Sequence, residues 1–445
     1  MDIIIGAIIS FIALIFSIYK GIFIGFPILI SLIIFSIIAI RKGHALNKVI
    51  RMAYEGGKGS FIVIKILILI GIITASWMAS GTVPGMVYYG IKFMNPKFFI
   101  VYSFIISTVV SYILGTAFGA VGTIGVSLMV MARAGGINPN IAAGAIIGGS
   151  YFGDRCSPMS SSAHLIANLT DTNIYENLKN MFKTSIIPYG ISLLLYIFIS
   201  LKYPLNFKDS GITSEILRVF NINILVLLPA FLILILSGLK VNVKISMLLS
   251  TFVAFLIAYF CQGVGFKAFL RYIVLGYNID VESSLGPIIK GGGILSMAKA
   301  IFIIFVSCSL AGVLENAGML DNVHKLFEKV DSRYGLLVST ALISVFAAAF
   351  GGNQSIAIVL TNQVMKGIYD KLNVDKYQLA VDIENTAVVI SPLIPWNISG
   401  LIPATTLNVG NAIYLPYAFY LYLIPLVNIL YLRFFNRNKI AVHQD

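Results

Sequence analysis

Uncharged apolar runs recur along the whole of this chain, and no other feature restricts its folding so severely. "GIFIGFPILISLIIFSIIAI" (21–40) and "ISMLLSTFVAFLIAYFCQGVGF" (245–266) are each long enough to cross a bilayer as one helix. The stretches 98–132, 335–365 and 385–432 contain no charged residue and are long enough for more than one pass. Backbone polar groups in lipid must be satisfied within the segment, which makes these runs helices rather than open strands. Only 11% of the 445 residues are charged, against about 25% in an ordinary soluble domain. The expected fold is an all-α polytopic membrane protein with roughly eleven to thirteen transmembrane helices.

The formal charge of +13 raises the question of nucleic acid, but its placement points to membrane topology. Arg41, Lys42, Lys48, Arg51 and Lys58 crowd one loop, and Arg433, Arg437 and Lys439 lie at the C-terminus. Such a bias marks cytoplasmic sides. It places 41–58 and both termini inside, with Lys20 across the first hairpin, in an integral protein of the cell membrane. No nucleic-acid partner is expected. The start "MDIIIGAIIS" lacks a basic n-region and runs on into further apolar segments, so no removable signal peptide is expected.

The three cysteines have no metal or disulfide spacing. There is no phosphate loop and no nucleophile–base pair in the sequence, which argues against an ATPase or hydrolase. A transporter without cofactor is the expectation, not an enzyme.

Along the chain, residues 1–60 read as a transmembrane hairpin with a basic loop and 61–205 as a first transport unit. Residues 206–290 read as connecting helices and loops, 291–434 as a second unit and 435–445 as a cytoplasmic tail. The two units share landmarks. Ala117-Phe118-Gly119 recurs 232 residues later as Ala349-Phe350-Gly351, and Ser157-Pro158 recurs 234 residues later as Ser391-Pro392. Chance recurrence of common motifs is the competing explanation. A duplicated unit with broken or re-entrant helices, the two repeats inverted, is a frequent plan among secondary transporters.

The segment "GGSYFGDRCSPMSSSAHL" (148–165) is too polar for its apolar surroundings. Pro158 removes a backbone donor and disfavours helix at Ser157. A helix broken there frees carbonyls and exposes half-helix ends that bind ions. Asp154 adds a carboxylate, and Ser157, Ser160, Ser161 and Ser162 add neutral oxygens. Sodium is held by several oxygens of this kind, few of them charged, so that it can leave again. A carboxylate in apolar surroundings can alternate between proton and cation. The alternative is an ordinary polar loop in which Asp154 pairs with Arg155.

In the second unit, Glu384 precedes the recurring Ser-Pro in "LAVDIENTAVVISPLIPWN" (379–397), with Asn385 and Thr386 beside it. Asp382 and Glu384 are two apart and lie on different helix faces, so at most one faces a site. Otherwise both merely top a helix at the interface. Asn353 and Gln354 lie in an uncharged run, where they need partners or water; helix–helix hydrogen bonding is the alternative to lining a site. Glu315 reads as a helix end, Lys65 as a snorkelling or paired cation. His164 reads as a pH sensor or a plain hydrogen-bonding group, and Trp396 as an anchor or gate.

At these residues the chain resembles the NhaC-type Na+/H+ antiporter family of the ion transporter superfamily. The matching pieces are "GTVPGMVYYG" (81–90), "LGTAFGAVGTIGVSLM" (114–129), "GSYFGDRCSPMS" (149–160), "LAGVLENAGML" (310–320) and "ENTAVVISPLIPWN" (384–397). The resemblance implies exchange of sodium for protons, in a family that also includes malate/lactate exchangers and amino-acid transporters. Asp154, Ser157 and Glu384 keep the family's residue types. Ser161 and Asn353 stand where the family usually has acids. Fewer carboxylates leave fewer places for a proton, which keeps an organic substrate open.

The expected activity is Na+/H+ antiport by alternating access, with a cation and proton site where two broken helices cross. Asp154 and Glu384 would titrate, with Ser157, Asn353 and Thr386 as neutral ligands and Ser160, Ser161, Gln354 and Asn385 lining the site. Asp154, Ser157 and Glu384 would contact Na+. The alternative is Na+-coupled transport or exchange of an amino acid or small carboxylate. Expected partners are Na+, H+, a small organic solute under the alternative, and the lipid bilayer. A homodimer is compatible with this plan.

Overall fold

The uncharged runs form helices, and those helices stop where glycine or proline stops them. The computed structural model describes residues 2–206, 212–279, 285–286, 289–319, 330 and 332–434. The expected 435–445 tail, with Arg437 and Lys439, lies outside the described residues, as does part of the 206–290 connection.

Among the described residues, seven helices are long and apolar enough to cross a bilayer: Phe61–Ala79, Pro96–Leu114, Ala117–Ala134, Ile174–Lys202, Val243–Gln262, Ile294–Asn316 and Arg333–Gly351. Two bent pairs raise this to nine if each is one span. Ile212–Val219 turns by 95° into Ile224–Gly238, and Lys376–Leu393 by 51° into Ile398–Thr406. This is fewer than the eleven to thirteen passes expected. The apolar helices Gly25–Arg41 and Phe419–Phe434 have 17 and 16 residues, and the apolar helix Asp2–Lys20 has 19. Two further helices carry charge: Pro139–Cys156 holds Asp154 and Arg155, and Gln354–Lys371 holds Lys366, Asp370 and Lys371.

Exposure follows the membrane pattern. Ile186, Ile187, Leu194 and Phe198 stand exposed on Ile174–Lys202, whereas Ser185, Ser192 and Ser200 of the same helix are buried. In water that arrangement would be costly. In hydrocarbon it puts apolar surface outside and lets small hydroxyls pack between helices. The molecule is an integral membrane protein.

Two strings of elements run in the same order. In the first, Phe99–Leu114 ends at Gly115, and the chain resumes as Ala117–Ala134, Pro139–Cys156 and, after a break, Ser161–Leu169. In the second, Arg333–Gly351 ends at Gly352 and is followed by Gln354–Lys371 and Lys376–Ile383. The latter continues through a π turn at Glu384–Val388, breaks near Pro392 and resumes as Ile398–Thr406. Gly115 and Gly352 both take the left-handed conformation, with φ of 67° and 60°. At Gly115 a Cβ would also lie 2.5 Å from the Met159 backbone, so glycine is required there twice over.

Candidate functional site

The site begins with the broken end of the Pro139–Cys156 helix. Ser157 is extended (φ −86°, ψ 139°), because Pro158 rules out another helical turn. The freed carbonyl of Asp154 accepts from the hydroxyls of Ser160 and, at 2.8 Å, Ser162. Ser160 also caps the next helix, its Oγ accepting from the Ala163 N–H at 3.2 Å. The break is thus a built structure with its carbonyl satisfied by its own serines, not a loose loop.

That structure aims the Asp154 carboxylate at two helix starts. Oδ1 accepts from the backbone N–H of Ala117 at 3.3 Å, and Oδ2 accepts from the Gln354 side chain at 2.9 Å and the Ser162 hydroxyl at 3.5 Å. Ala117 and Gln354 are the first residues of the helices that follow the left-handed Gly115 and Gly352. One half-helix offers Asp154 a backbone N–H at its N-terminal end, where negative charge is favoured, and the other the side-chain amide of its first residue.

Arg155 does not pair with Asp154. Its guanidinium crosses to the Ile174–Lys202 helix, where it donates to the Met181 carbonyl (3.3 Å), the Thr184 hydroxyl (2.9 Å) and Ser185. It also donates to Oδ1 of Asn385 in the second unit. Thr184 donates to the same Asn385 oxygen at 3.2 Å.

Glu384 stands apart from these satisfied groups. It opens the π turn of the second broken helix and is only 1% exposed, yet neither carboxylate oxygen has a hydrogen-bond partner among the described residues. It lies within electrostatic range of both Arg155 and Asp154. A buried, unpartnered carboxylate carries a large desolvation cost. A proton or a bound cation removes that cost, and these are the two things a cation/proton site exchanges.

Asp382, two residues before Glu384, differs from it in having partners. Asp382 forms a buried ion pair with Arg333 (2.7 Å) and accepts from the Tyr369 hydroxyl, tying three helices of the second unit together. Thr386 turns to the same side, donating to the Asp382 carbonyl at 2.6 Å and accepting from Ser344 at 3.0 Å.

The other expected site residues are divided. Asp154, Ser160 and Gln354 are joined by hydrogen bonds, together with Ser162, whereas Asn385 meets Arg155 and Thr184, and Glu384 lies within electrostatic range of Asp154 and Arg155 without a bond to either. Ser157 is used locally: its Oγ donates to the Tyr112 carbonyl at 2.7 Å and accepts from the Met159 N–H at 3.1 Å. Ser161 is exposed. Asn353 caps the Gln354–Lys371 helix by accepting from Ser355 N–H at 2.9 Å. Lys65 and Glu315 are exposed, as is His164, whose Nε2 lies 3.0 Å from the Pro158 carbonyl. Trp396 and Asn397 donate to the Ala349 and Ala348 carbonyls at 2.7 and 2.8 Å, closing the end of Arg333–Gly351. The reading by sequence missed Arg155 as the bridge between units and Ala117 as a donor. The first carried a signal, a guanidinium among apolar helices with few acids nearby. The second is a backbone group and carried none.

A cavity of about 840 Å³ opens between Phe61–Ala79, Ala117–Ala134, Ile294–Asn316 and Ile398–Thr406, with Arg133, Lys290 and Lys299 on its wall. Neither Asp154 nor Glu384 lines it.

Comparison with known proteins agrees with this architecture. Residues 149–435 match the Na+/H+ antiporter family. The chain is 30% identical to the Na+/H+ antiporter NhaC of Alkalihalophilus pseudofirmus, over 91% of this chain and 89% of that one. It is 28% identical to the malate-2H+/Na+-lactate antiporter of Bacillus subtilis, over 90% and 87% of the two chains. To the arginine/ornithine antiporter ArcD of Halobacterium salinarum it is 30% identical, over 81% and 76%. The chain belongs to the Na+/H+ antiporter family of secondary transporters.

Proposed function

We propose that this protein exchanges Na+ for H+ by alternating access, with Asp154 and Glu384 as the two groups that trade proton for cation. The observation that carries the proposal is the Glu384 carboxylate, buried within electrostatic range of Asp154 and Arg155 with no hydrogen bond to either oxygen among the described residues. Asp154 is held by donors at a crossing of both units, so an ion bound there contacts both at once. The matched order of helix, left-handed glycine, helix and Ser-Pro break supports a duplicated unit, and two units rocking about a shared site is a common basis of alternating access.

In this scheme one face opens, a proton leaves Glu384 and Na+ takes its place near the two carboxylates. Closing that face and opening the other reverses the exchange. Ser160 and Ser162 hold the break, while Arg155 and Asn385 keep the units in register. The test is proton movement in everted vesicles carrying an imposed pH gradient. Sodium should dissipate the gradient with the native protein and fail to do so with Asp154→Asn or Glu384→Gln at equal membrane abundance. Normal sodium response in both variants would refute the assignment.

A second reading is Na+-coupled exchange of an amino acid or small carboxylate. It is favoured by the relatives named for malate and lactate and for arginine and ornithine, 28% and 30% identical to this chain beside the 30% of the NhaC relative. Under this reading the vesicles show no response to any cation alone, but respond when the organic solute is added.

A further inference from the structure

We propose that the Leu46–Gly59 helix is a docking surface for anionic phospholipid headgroups at the edge of the bilayer. This does not rest on the transport reading above. The helix joins the end of the apolar Gly25–Arg41 helix to the start of the Phe61–Ala79 span, so both of its ends are tied to the membrane. Its side chains fall into three sectors. Val49, Met52 and Gly57 are buried, and the backbone lies so close to the Ile294–Asn316 span that a Cβ on Gly56 would sit 2.4 Å from the Cys308 carbonyl. Leu46, Ile50 and Tyr54 recur every fourth residue as an uncovered apolar stripe, 58%, 58% and 57% exposed. Lys48, Arg51, Glu55 and Lys58 form the third sector, all exposed.

These sectors demand different surroundings. Water would strand the apolar stripe, and the hydrocarbon core would strand the charges. Only the boundary between them satisfies both, which is the behaviour of an interfacial amphipathic helix. The sign of the charge selects the lipid. Arg41, Lys42, Lys48, Arg51 and Lys58 are exposed cations on this segment. Among the described residues the opposing acids are Glu55, held by Arg51 at 2.9 Å, and exposed Glu315 at the end of the adjoining span. Lys42 reaches that end as well, donating to the Gly318 carbonyl at 3.4 Å. The excess of cations beside an exposed apolar stripe matches phosphatidylglycerol-like headgroups, whose acyl chains cover the stripe while their phosphates meet the lysines.

The test uses the full-length protein in liposomes with Tyr54→Trp as a reporter. The two native tryptophans, Trp77 and Trp396, are 2% and 5% exposed and so poorly placed to meet lipid. Brominated phosphatidylglycerol should quench the reporter with an apparent affinity about twofold or more above that of brominated phosphatidylcholine. Adding Lys48→Gln, Arg51→Gln and Lys58→Gln should remove the preference while leaving quenching by phosphatidylcholine intact. Equal quenching by the two lipids before those substitutions overturns the proposal. Absence of quenching by either lipid also overturns it, and points to a second copy of the chain covering the stripe.

Discussion

Gln354 donates a 2.9 Å hydrogen bond to Asp154 Oδ2, joining residues 200 positions apart and the helices that carry them. The side chain that does so is the first residue of a helix, set in place by the left-handed Gly352 and the Asn353 cap. A hydrogen bond to a charged group contributes about 1.5–3 kcal/mol. Gln354→Ala should therefore lower the thermal midpoint of the detergent-solubilised protein by a few degrees in the absence of sodium. An unchanged midpoint would show that the bond does not hold the units together.

The Arg333–Asp382 pair should behave as structure rather than as transport chemistry. Removing one partner of a buried ion pair costs about 3–5 kcal/mol, while replacing both with apolar residues is often neutral. Asp382→Ala should sharply reduce thermal stability, and Arg333→Met with Asp382→Leu should recover most of it. Folded double variant should still respond to sodium. Loss of that response with stability restored would move Asp382 into the exchange site.

Close helix packing makes a further prediction. A Cβ on Gly153 would lie 2.1 Å from the Ser111 carbonyl carbon and 2.2 Å from the Tyr112 nitrogen, whereas one on Gly190 would meet nothing within 4 Å. Gly153→Ala must part the two helices that frame Asp154 and should abolish the yield of monodisperse protein in size-exclusion chromatography. Gly190→Ala should leave the yield unchanged or improved, since alanine favours helix by about 1 kcal/mol. Equal yields would contradict the packing.

Much of this was legible in the sequence because it depends on chain-local physics. Uncharged runs require helices, Pro158 and Pro392 break them, and Asp154 and Glu384 stand out as acids in apolar surroundings. The number of spans was not legible. Hydropathy counts apolar length, and two apolar helices have 17 residues or fewer while two further helices carry charge. The roles of polar side chains were also hidden, because each depends on which neighbour arrives in space. The sequence could not show that the hydroxyls of Ser157 and Thr386 donate to the Tyr112 and Asp382 carbonyls. Arg155, which pairs with its neighbour Asp154 only under the polar-loop alternative, reaches Asn385, 230 residues away.

The most direct test of the central claim is proton release on sodium binding to the purified protein in weakly buffered solution. If Glu384 trades its proton for Na+, sodium addition should acidify the solution, potassium should not, and Glu384→Gln should abolish or strongly reduce the release while leaving the protein folded. Sodium-dependent proton release of full size from folded Glu384→Gln would contradict the account.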